Sequence, residues 1–222
     1  SKRHSAPATS TLDVKYSSQN SFPNISPISV PRSNVNAVEV CAVLLALAYV
    51  ILAIQQRRIC WIAAIASAML YSHIFWQVSL YLETVLQLFY IVMALYGWSV
   101  WGRQQQGHDS QIQIWTGRQH LFACTAVLSL SLTLGWAMQE WTDAALPFFD
   151  AATTVCALLA TWMVTQRLLE NWLYWIAINT VSIGLYLSRD LSLTAALFAG
   201  YVILAIVGYR TWRRQWLRQH NA

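Results

Sequence analysis

Asn171-Trp172-Leu173-Tyr174-Trp175-Ile176-Ala177-Ile178-Asn179, continuing to Ser182 and Tyr186, is the stretch from which the fold can be read. Residues three and four apart share a helix face, so Trp172, Trp175, Asn179, Ser182 and Tyr186 form one stripe. Leu173, Ile176, Ile178, Val181, Ile183 and Leu185 cover the other faces. This is the pattern of a membrane helix with a lipid-facing back and one aromatic, hydrogen-bonding face turned towards protein or a cavity. An amide at mid-span must find a partner, because hydrocarbon offers none. Either a ligand or a neighbouring helix would serve.

Composition agrees with that reading. The 222 residues are 57% hydrophobic and 10% charged, against about 25% charged in a soluble domain. Mean hydropathy is +0.42 although the N-terminal region is polar. The chain is therefore a polytopic membrane protein, and its net charge of +5 reports loop topology rather than nucleic-acid binding. Cys41, Cys60, Cys124 and Cys156 form no CxxC or metal-ligand spacing and read as small buried hydrophobes. Twelve Trp and ten Tyr are partly explained by interfacial belts, which would account for Trp61, Trp76, Trp98, Trp101, Trp115, Trp136, Trp141, Trp212 and Trp216 near span ends.

Residues 1–36 are rich in Ser, Asn and Pro and read as a disordered polar tail without the apolar core of a signal peptide. Spans of roughly 20 apolar residues follow, at 38–54, 59–76, 80–101, 120–137, 146–165, 172–188 and 191–212. The connections at Gln77-Val78-Ser79 and Arg189-Asp190 are tight, and the boundary around 139–143 is acidic. Arg57, Arg58, Arg103, Arg118, Arg167, Arg210, Arg213, Arg214 and Arg218 collect on one side. The positive-inside rule then places the C terminus in the cytoplasm and the N terminus outside.

An internal repeat sets the architecture. A shift of 111 residues superposes Trp61 on Trp172, Ile65 on Ile176, Leu80 on Leu191, Leu82 on Leu193, Leu86 on Leu197, Tyr90 on Tyr201, Ala94 on Ala205, Gly97 on Gly208 and Trp101 on Trp212. The expected fold is all-α integral membrane: seven transmembrane helices as two parallel three-helix repeats joined by a linking helix, 3+1+3. The first repeat covers 37–103, the loop and linking helix 104–143, the second repeat 144–213, and a basic C-terminal tail 214–222.

A cavity between the halves would have the sixth-span stripe as one wall and Glu83, Gln87, Tyr90, Ala94, Gly97 and Trp101 of the third span as another. Where the sixth span has Trp175 and Asn179, the second has Ala64 and Ala68; where the third has Glu83 and Gln87, the seventh has Thr194 and Phe198. The polar groups are not duplicated, so one asymmetric site fits better than two equal ones. Aromatic walls suit a flat ring, a delocalised cation gains cation–π attraction, and amides suit hydroxyls or a carboxamide. Gly97 and Gly208 read as close-packing positions. Glu83 and Asp150, near the outer boundary, are either functional carboxylates or partners of Arg189 and helix caps. His73 and His120 have no partner spacing for a metal, no cofactor motif is present, and no HExxH, GxSxG or proton-relay run occurs. A passive carrier is expected rather than an enzyme; an integral-membrane enzyme or assembly scaffold is the competing class.

The segment 170–179, the run Leu86-Gln87-Leu88-Phe89-Tyr90 leading to Tyr96-Gly97-Trp98-Ser99-Val100-Trp101, and Pro147-Phe148-Phe149-Asp150 together resemble the PnuC family of bacterial vitamin transporters. The likeness covers residues 38 to 214 and omits the tail. It implies a fold related to the SWEET sugar transporters and inner-membrane uptake of nicotinamide riboside by facilitated diffusion, the substrate being trapped by a cytoplasmic kinase. By this resemblance Trp172, Trp175 and Asn179 match the sixth-helix ligand motif and Gln87 the third-helix amide, while Tyr90 and Asp150 match further family positions. Ser182, Tyr186 and Glu83 complete the candidate binding set from the two stripes. Relatives of the same fold carry thiamine, riboflavin or deoxynucleosides, and residues 193–212 are similar to the thiamine-type members, so thiamine is the alternative substrate. The bilayer and a vitamin are the expected partners, nucleic acid is not, and a homo-oligomer is compatible with the sequence.

Overall fold

The structure, a computed structural model, describes residues 32–77, 81–106, 111–142, 146–188 and 192–221. Among them the chain forms seven helices: α1 (Arg32–Ile54), α2 (Cys60–Gln77), α3 (Tyr81–Gln106), α4 (Gly117–Trp141), α5 (Pro147–Thr165), α6 (Asn171–Ser188) and α7 (Ser192–His220). Most of the expected tail, the connections at Val78-Ser79 and Arg189-Asp190, Leu80 and Leu191 of the repeat, and Asp143 of the acidic boundary lie outside the described residues. Two expected boundaries are corrected. Residues 32–36 belong to α1 rather than to the tail, and 214–220 continue α7. The extension of α7 has a packing reason: Gln215 bonds Gln56, and the Gln219 Oε1 accepts the Ile112 N–H at 3.1 Å, so its protein-facing stripe outlasts the apolar one.

Five stretches are long and apolar enough to cross a bilayer unaided: Ala37–Ile54, Glu83–Arg103, Gly117–Trp141, Pro147–Thr165 and Thr194–His220. At 18 residues each, α2 and α6 come to about 27 Å, slightly less than a hydrocarbon core of roughly 30 Å. Within each half, α2 packs on α1 and α3, and α6 on α5 and α7; the halves meet where α3 touches α5 and α1 touches α7. The linking helix α4 packs on α5. His120 near its start reaches the Tyr174 hydroxyl at 3.1 Å and the Glu170 carboxylate at 3.8 Å.

The repeat is carried down to hydrogen bonds. At the end of α1, Gln56 N–H donates to the Ala53 carbonyl and Arg57 N–H to that of Leu52, both at 3.0 Å. At the end of α5, Arg167 N–H donates to Val164 (3.1 Å) and Leu168 N–H to Met163 (3.0 Å). These are two Schellman caps, 111 residues apart. The left-handed residue of each, normally glycine, is Gln56 or Arg167, both at φ 54°; side chains here cost roughly 1–2 kcal/mol. Each side chain is used. Gln56 bonds Gln215, and the Arg167 guanidinium lies 4.7 Å over the Trp101 ring. Burial draws the Arg167 pKa below its ordinary value, with the Cys60 thiol a weaker opposing influence, and arginine stays charged all the same.

A Schellman cap leaves the last helical carbonyl without a partner. Here it is taken by an indole from the opposite half. Trp212 Nε1 of α7 donates to Ile54 (3.1 Å) and Ala53 (3.3 Å) at the end of α1, and Trp101 Nε1 of α3 donates to Thr165 (3.1 Å) at the end of α5. The same two rings join a chain of four: Trp61–Trp101 at 5.4 Å, Trp101–Trp212 at 6.5 Å, and Trp212–Trp172 at 5.4 Å. The outer pairs are edge-on, the favoured arrangement of ring quadrupoles. Trp101 and Trp212 are fully enclosed, at 0% exposure, and Trp61 is at 1%. The belt reading of these three is therefore wrong: cross-half bonds pull Trp101 and Trp212 inward, and Trp61 packs edge-on against Trp101. Trp76, Trp136 and Trp141 are exposed, as a belt requires. Of the cysteines Cys60 is buried, whereas Cys41 and Cys124 are exposed on the bundle's outer surface, contrary to expectation.

Gly97 and Gly208 let this cluster close. A Cβ on Gly97 would lie 2.4 Å from the Trp61 ring, and one on Gly208 2.6 Å from the Trp172 ring. Gly97→Ala and Gly208→Ala are each expected to lower stability by about 1–3 kcal/mol through overpacking. Gly184→Ala, where a Cβ meets nothing within 4 Å, should be neutral or slightly stabilising; thermal melting of the three purified variants checks the contrast. Trp101→Phe and Trp212→Phe, which keep a ring but strand a carbonyl, should cost about 1–3 kcal/mol each. In the same melts Trp76→Phe should stay within roughly 0.5 kcal/mol of the parent.

Candidate functional site

Between the halves, directly on the tryptophan cluster, is a cavity of about 420 Å³. Its walls follow from helical spacing. On α6, Trp172, Trp175 and Asn179 fall three and four apart and face it; on α2 the residues 111 earlier, Trp61, Ala64 and Ala68, do the same. On α3 the lining residues are Gln87, Tyr90 and Ala94, and on α7 their counterparts Phe198, Tyr201 and Ala205. The backbone places equivalent positions around one cavity, and the side chains make it asymmetric. The first half supplies the Gln87 amide opposite Phe198, and the second supplies Trp175 and Asn179 opposite two alanines.

The polar groups decide between ligand and helix contact. Asn179 is 6% exposed, and neither its amide nor that of Gln87 makes a hydrogen bond to the described residues. The indole Nε1 atoms of Trp61 and Trp172 are buried and equally without an acceptor. A buried polar group left unmatched costs about 1–3 kcal/mol, so two such indoles, with two unbonded amides on the same hollow, suit a polar occupant better than a helix seam. No Asp, Glu, Lys, Arg or His lines the cavity among the described residues. It is a neutral aromatic box with one tyrosine from each of α1, α2, α3 and α7: Tyr49, Tyr71, Tyr90 and Tyr201. Among the described residues no cluster of three His, Cys, Asp or Glu could hold a metal.

The structure thus brings five of the nine candidate residues together: Gln87, Tyr90, Trp172, Trp175 and Asn179. The other four sit elsewhere. The Ser182 hydroxyl donates to the Ile178 carbonyl at 2.9 Å, and the Tyr186 ring packs on Phe198 at 4.9 Å. Glu83 and Asp150 occupy the first turns of α3 and α5, where a carboxylate is favoured by the helix dipole. Trp61, Tyr49, Tyr71 and Thr161 line the cavity and were not among the candidates. Trp61 was findable as the repeat mate of Trp172; Tyr49 and Thr161 sit on α1 and α5, whose lining faces carry no polar stripe.

A larger hollow, about 890 Å³, lies between α4 and α5. Its middle is walled by Phe122, Val127, Leu130, Leu134 and Leu158, which matches lipid rather than a polar ligand.

Comparison with known proteins places this arrangement. The family model described as "Nicotinamide mononucleotide transporter" matches residues 36–214. The chain is 24% identical to the nicotinamide riboside transporter PnuC of Escherichia coli (strain K12), over 89% of this chain and 93% of that one. It is 25% identical to the PnuC of Neisseria mucosa, over 69% and 63% respectively. It is 24% identical to the riboflavin/roseoflavin transporter RibM of Streptomyces davaonensis, over 59% and 62%. The crystal structure of the vitamin B3 transporter PnuC shares the fold, with a TM-score of 0.67 and 20% identity over 82% of this chain and 83% of that one. With its family model spanning all seven helices, the chain belongs to the PnuC family of multi-pass membrane transporters.

Proposed function

We propose that this protein takes up nicotinamide riboside across the bacterial inner membrane by facilitated diffusion. The observation that carries the reading is the pair of amides, Gln87 and Asn179, one from each half, that face the cavity without a protein partner. Nicotinamide riboside is a flat pyridinium joined to a ribose. Its ring matches Trp172 and Trp175, its positive charge gains about 2 kcal/mol on a desolvated indole face, and its carboxamide and hydroxyls match amides and indole N–H groups. Tyr90 closes the same wall. The names of the Escherichia coli and Neisseria mucosa relatives point to the same substrate.

Facilitated diffusion is supported by the absence of titratable carboxylates and histidines among the described cavity residues, since proton-coupled carriers place such groups in their path. Net uptake then needs a sink, and phosphorylation by a cytoplasmic kinase supplies one. The arginines cluster at the α1, α3, α5 and α7 ends, which by the positive-inside rule supports a cytoplasmic C terminus. Thiamine, another flat cation on an aromatic stem, suits the same neutral box and is the second substrate to test.

Titration of the detergent-purified protein with nicotinamide riboside and with thiamine, read by tryptophan fluorescence, should give saturable quenching with the riboside. Asn179→Ala and Gln87→Ala should each weaken binding at least about five-fold with little change in melting temperature, because neither amide supports the fold. Unchanged binding in both would remove them from the site, and saturation by thiamine alone would move the substrate to thiamine. In proteoliposomes, riboside uptake should be indifferent to an imposed proton gradient; accumulation above equilibrium driven by that gradient would rule out facilitated diffusion.

A further inference from the structure

We propose that a cleft where α2 begins and α3 ends binds the phosphate of an anionic phospholipid headgroup. The cleft has a volume of about 460 Å³ and is lined by Arg58, Ser99, Gly102 and Arg103. It lies apart from the transport cavity, and none of its residues is used by the transport reading.

Arg58 is held in place before any ligand arrives. Its Nε donates to the Trp98 carbonyl at 2.9 Å, and its guanidinium lies 4.0 Å over the Trp98 ring. Gly102 makes room for it: a Cβ there would stand 2.5 Å from both Cζ and Nη2. With Nε engaged, the terminal nitrogens keep four N–H groups in a planar fork, the geometry that phosphate oxygens accept in pairs. Arg103 adds a second cation, and the Ser99 hydroxyl, which donates to the Tyr96 carbonyl at 2.7 Å, is the third polar wall. Neither guanidinium pairs with a described carboxylate; the ion pair among the described residues is His120 with Glu170. Two cations thus share one cleft with no counter-ion from the described chain.

The cleft is not a by-product of the repeat. The positions 111 later than Arg58 and Gly102 are Leu169 and Arg213, so the second half has neither the fork nor the glycine that seats it.

Surroundings favour a lipid over a free anion. Ile62 lies in the first turn of α2, just beyond the turn that carries Arg58, and on α3 Leu95 is two turns deeper than Gly102, the spacing of seven putting it below Gly102 on the same helix face. Both are exposed, Ile62 at 50% and Leu95 at 55%. An apolar track therefore descends from the cleft along the bilayer side of the two helices, where acyl chains would lie. Juxtamembrane arginines attract anionic headgroups in just this setting.

The test uses the full chain in neutral detergent, with tryptophan-fluorescence melting and native mass spectrometry in the presence of phosphatidylglycerol, phosphatidylcholine or inorganic phosphate. Phosphatidylglycerol should raise the melting temperature and give discrete one-lipid adducts, and phosphatidylcholine should do neither. Arg58→Gln and Arg103→Gln should each weaken phosphatidylglycerol binding about five-fold, and Arg218→Gln, which removes the same charge from the end of α7, should leave it unchanged. Arg103→Gln disturbs no contact of Arg58, so a folding defect in Arg58→Gln still leaves the site testable. Equal weakening in Arg218→Gln would reduce the effect to diffuse charge and overturn the proposal. So would an unchanged response in Arg58→Gln and Arg103→Gln, or an equal melting shift from inorganic phosphate alone.

Discussion

A helix that ends within reach of lipid leaves carbonyls that neither its own backbone nor the bilayer can satisfy. In this chain the last carbonyl of α1 and that of α5 are each capped by an indole N–H from the third helix of the other half. The indole N–H of each of these tryptophans does two things at once: it closes a helix end and ties the halves together. Because Trp101 and Trp212 must reach across, they meet, and Trp61 and Trp172 pack edge-on against them. The glycines on α3 and α7 follow in turn, since only a missing Cβ lets those rings lie against the helices. The two left-handed caps, the four rings and the two glycines are one mutually dependent device.

The cavity takes its position from that device. The rings that close the cluster, Trp61 and Trp172, also form the floor of the cavity, with their N–H groups left over. Symmetry has been spent on the scaffold and broken in the walls. Positions 61 and 172, 90 and 201, and 94 and 205 carry the same residue in both halves, whereas 64 and 175, 68 and 179, and 87 and 198 do not. The matched set packs the halves and lines the cavity alike from both, and the unmatched set makes that lining asymmetric.

Much of this was legible in the sequence, and the reasons for the rest are physical. Span number, the repeat offset and the faces of α3 and α6 follow from hydropathy and from periods of three and four, which are local properties. Gln87, Trp175 and Asn179 could be found because a polar group in an apolar span is costly enough to stand out. Trp61, Trp101 and Trp212 were misjudged because proximity to a span end is equally the signature of an interfacial anchor; what separates the two is a bond to a helix more than 60 residues away for Trp101 and Trp212, and for Trp61 a ring contact with Trp101. Ser182 was overcounted because a hydroxyl can satisfy itself on the carbonyl one turn back, an escape that the longer, amide-bearing side chain of Asn179 does not take here. Residues 32–36 and 214–220 were assigned to tails because composition marks where lipid ends, not where a helix does.

The separation of matched from unmatched positions also bears on how one fold can serve several cargoes. A change at 64, 68, 175, 179, 87 or 198 alters the hydrogen-bonding or aromatic lining without touching an indole–carbonyl bond, a Schellman cap or a glycine contact. The asymmetry of the cavity can therefore vary while the packing device stays in place, although Trp61 and Trp172 serve both. That separation is consistent with relatives of this chain being named for nicotinamide riboside and for riboflavin at similar levels of identity to it. It also concentrates the asymmetry of the lining at six positions, where Gln87, Asn179 and Trp175 bring the two amides and the unmatched indole. Alanines at 64 and 68 are the complement of that asymmetry: as repeat mates of a tryptophan and an asparagine they leave open volume in the cavity, where a second symmetric pair would have filled the space with protein.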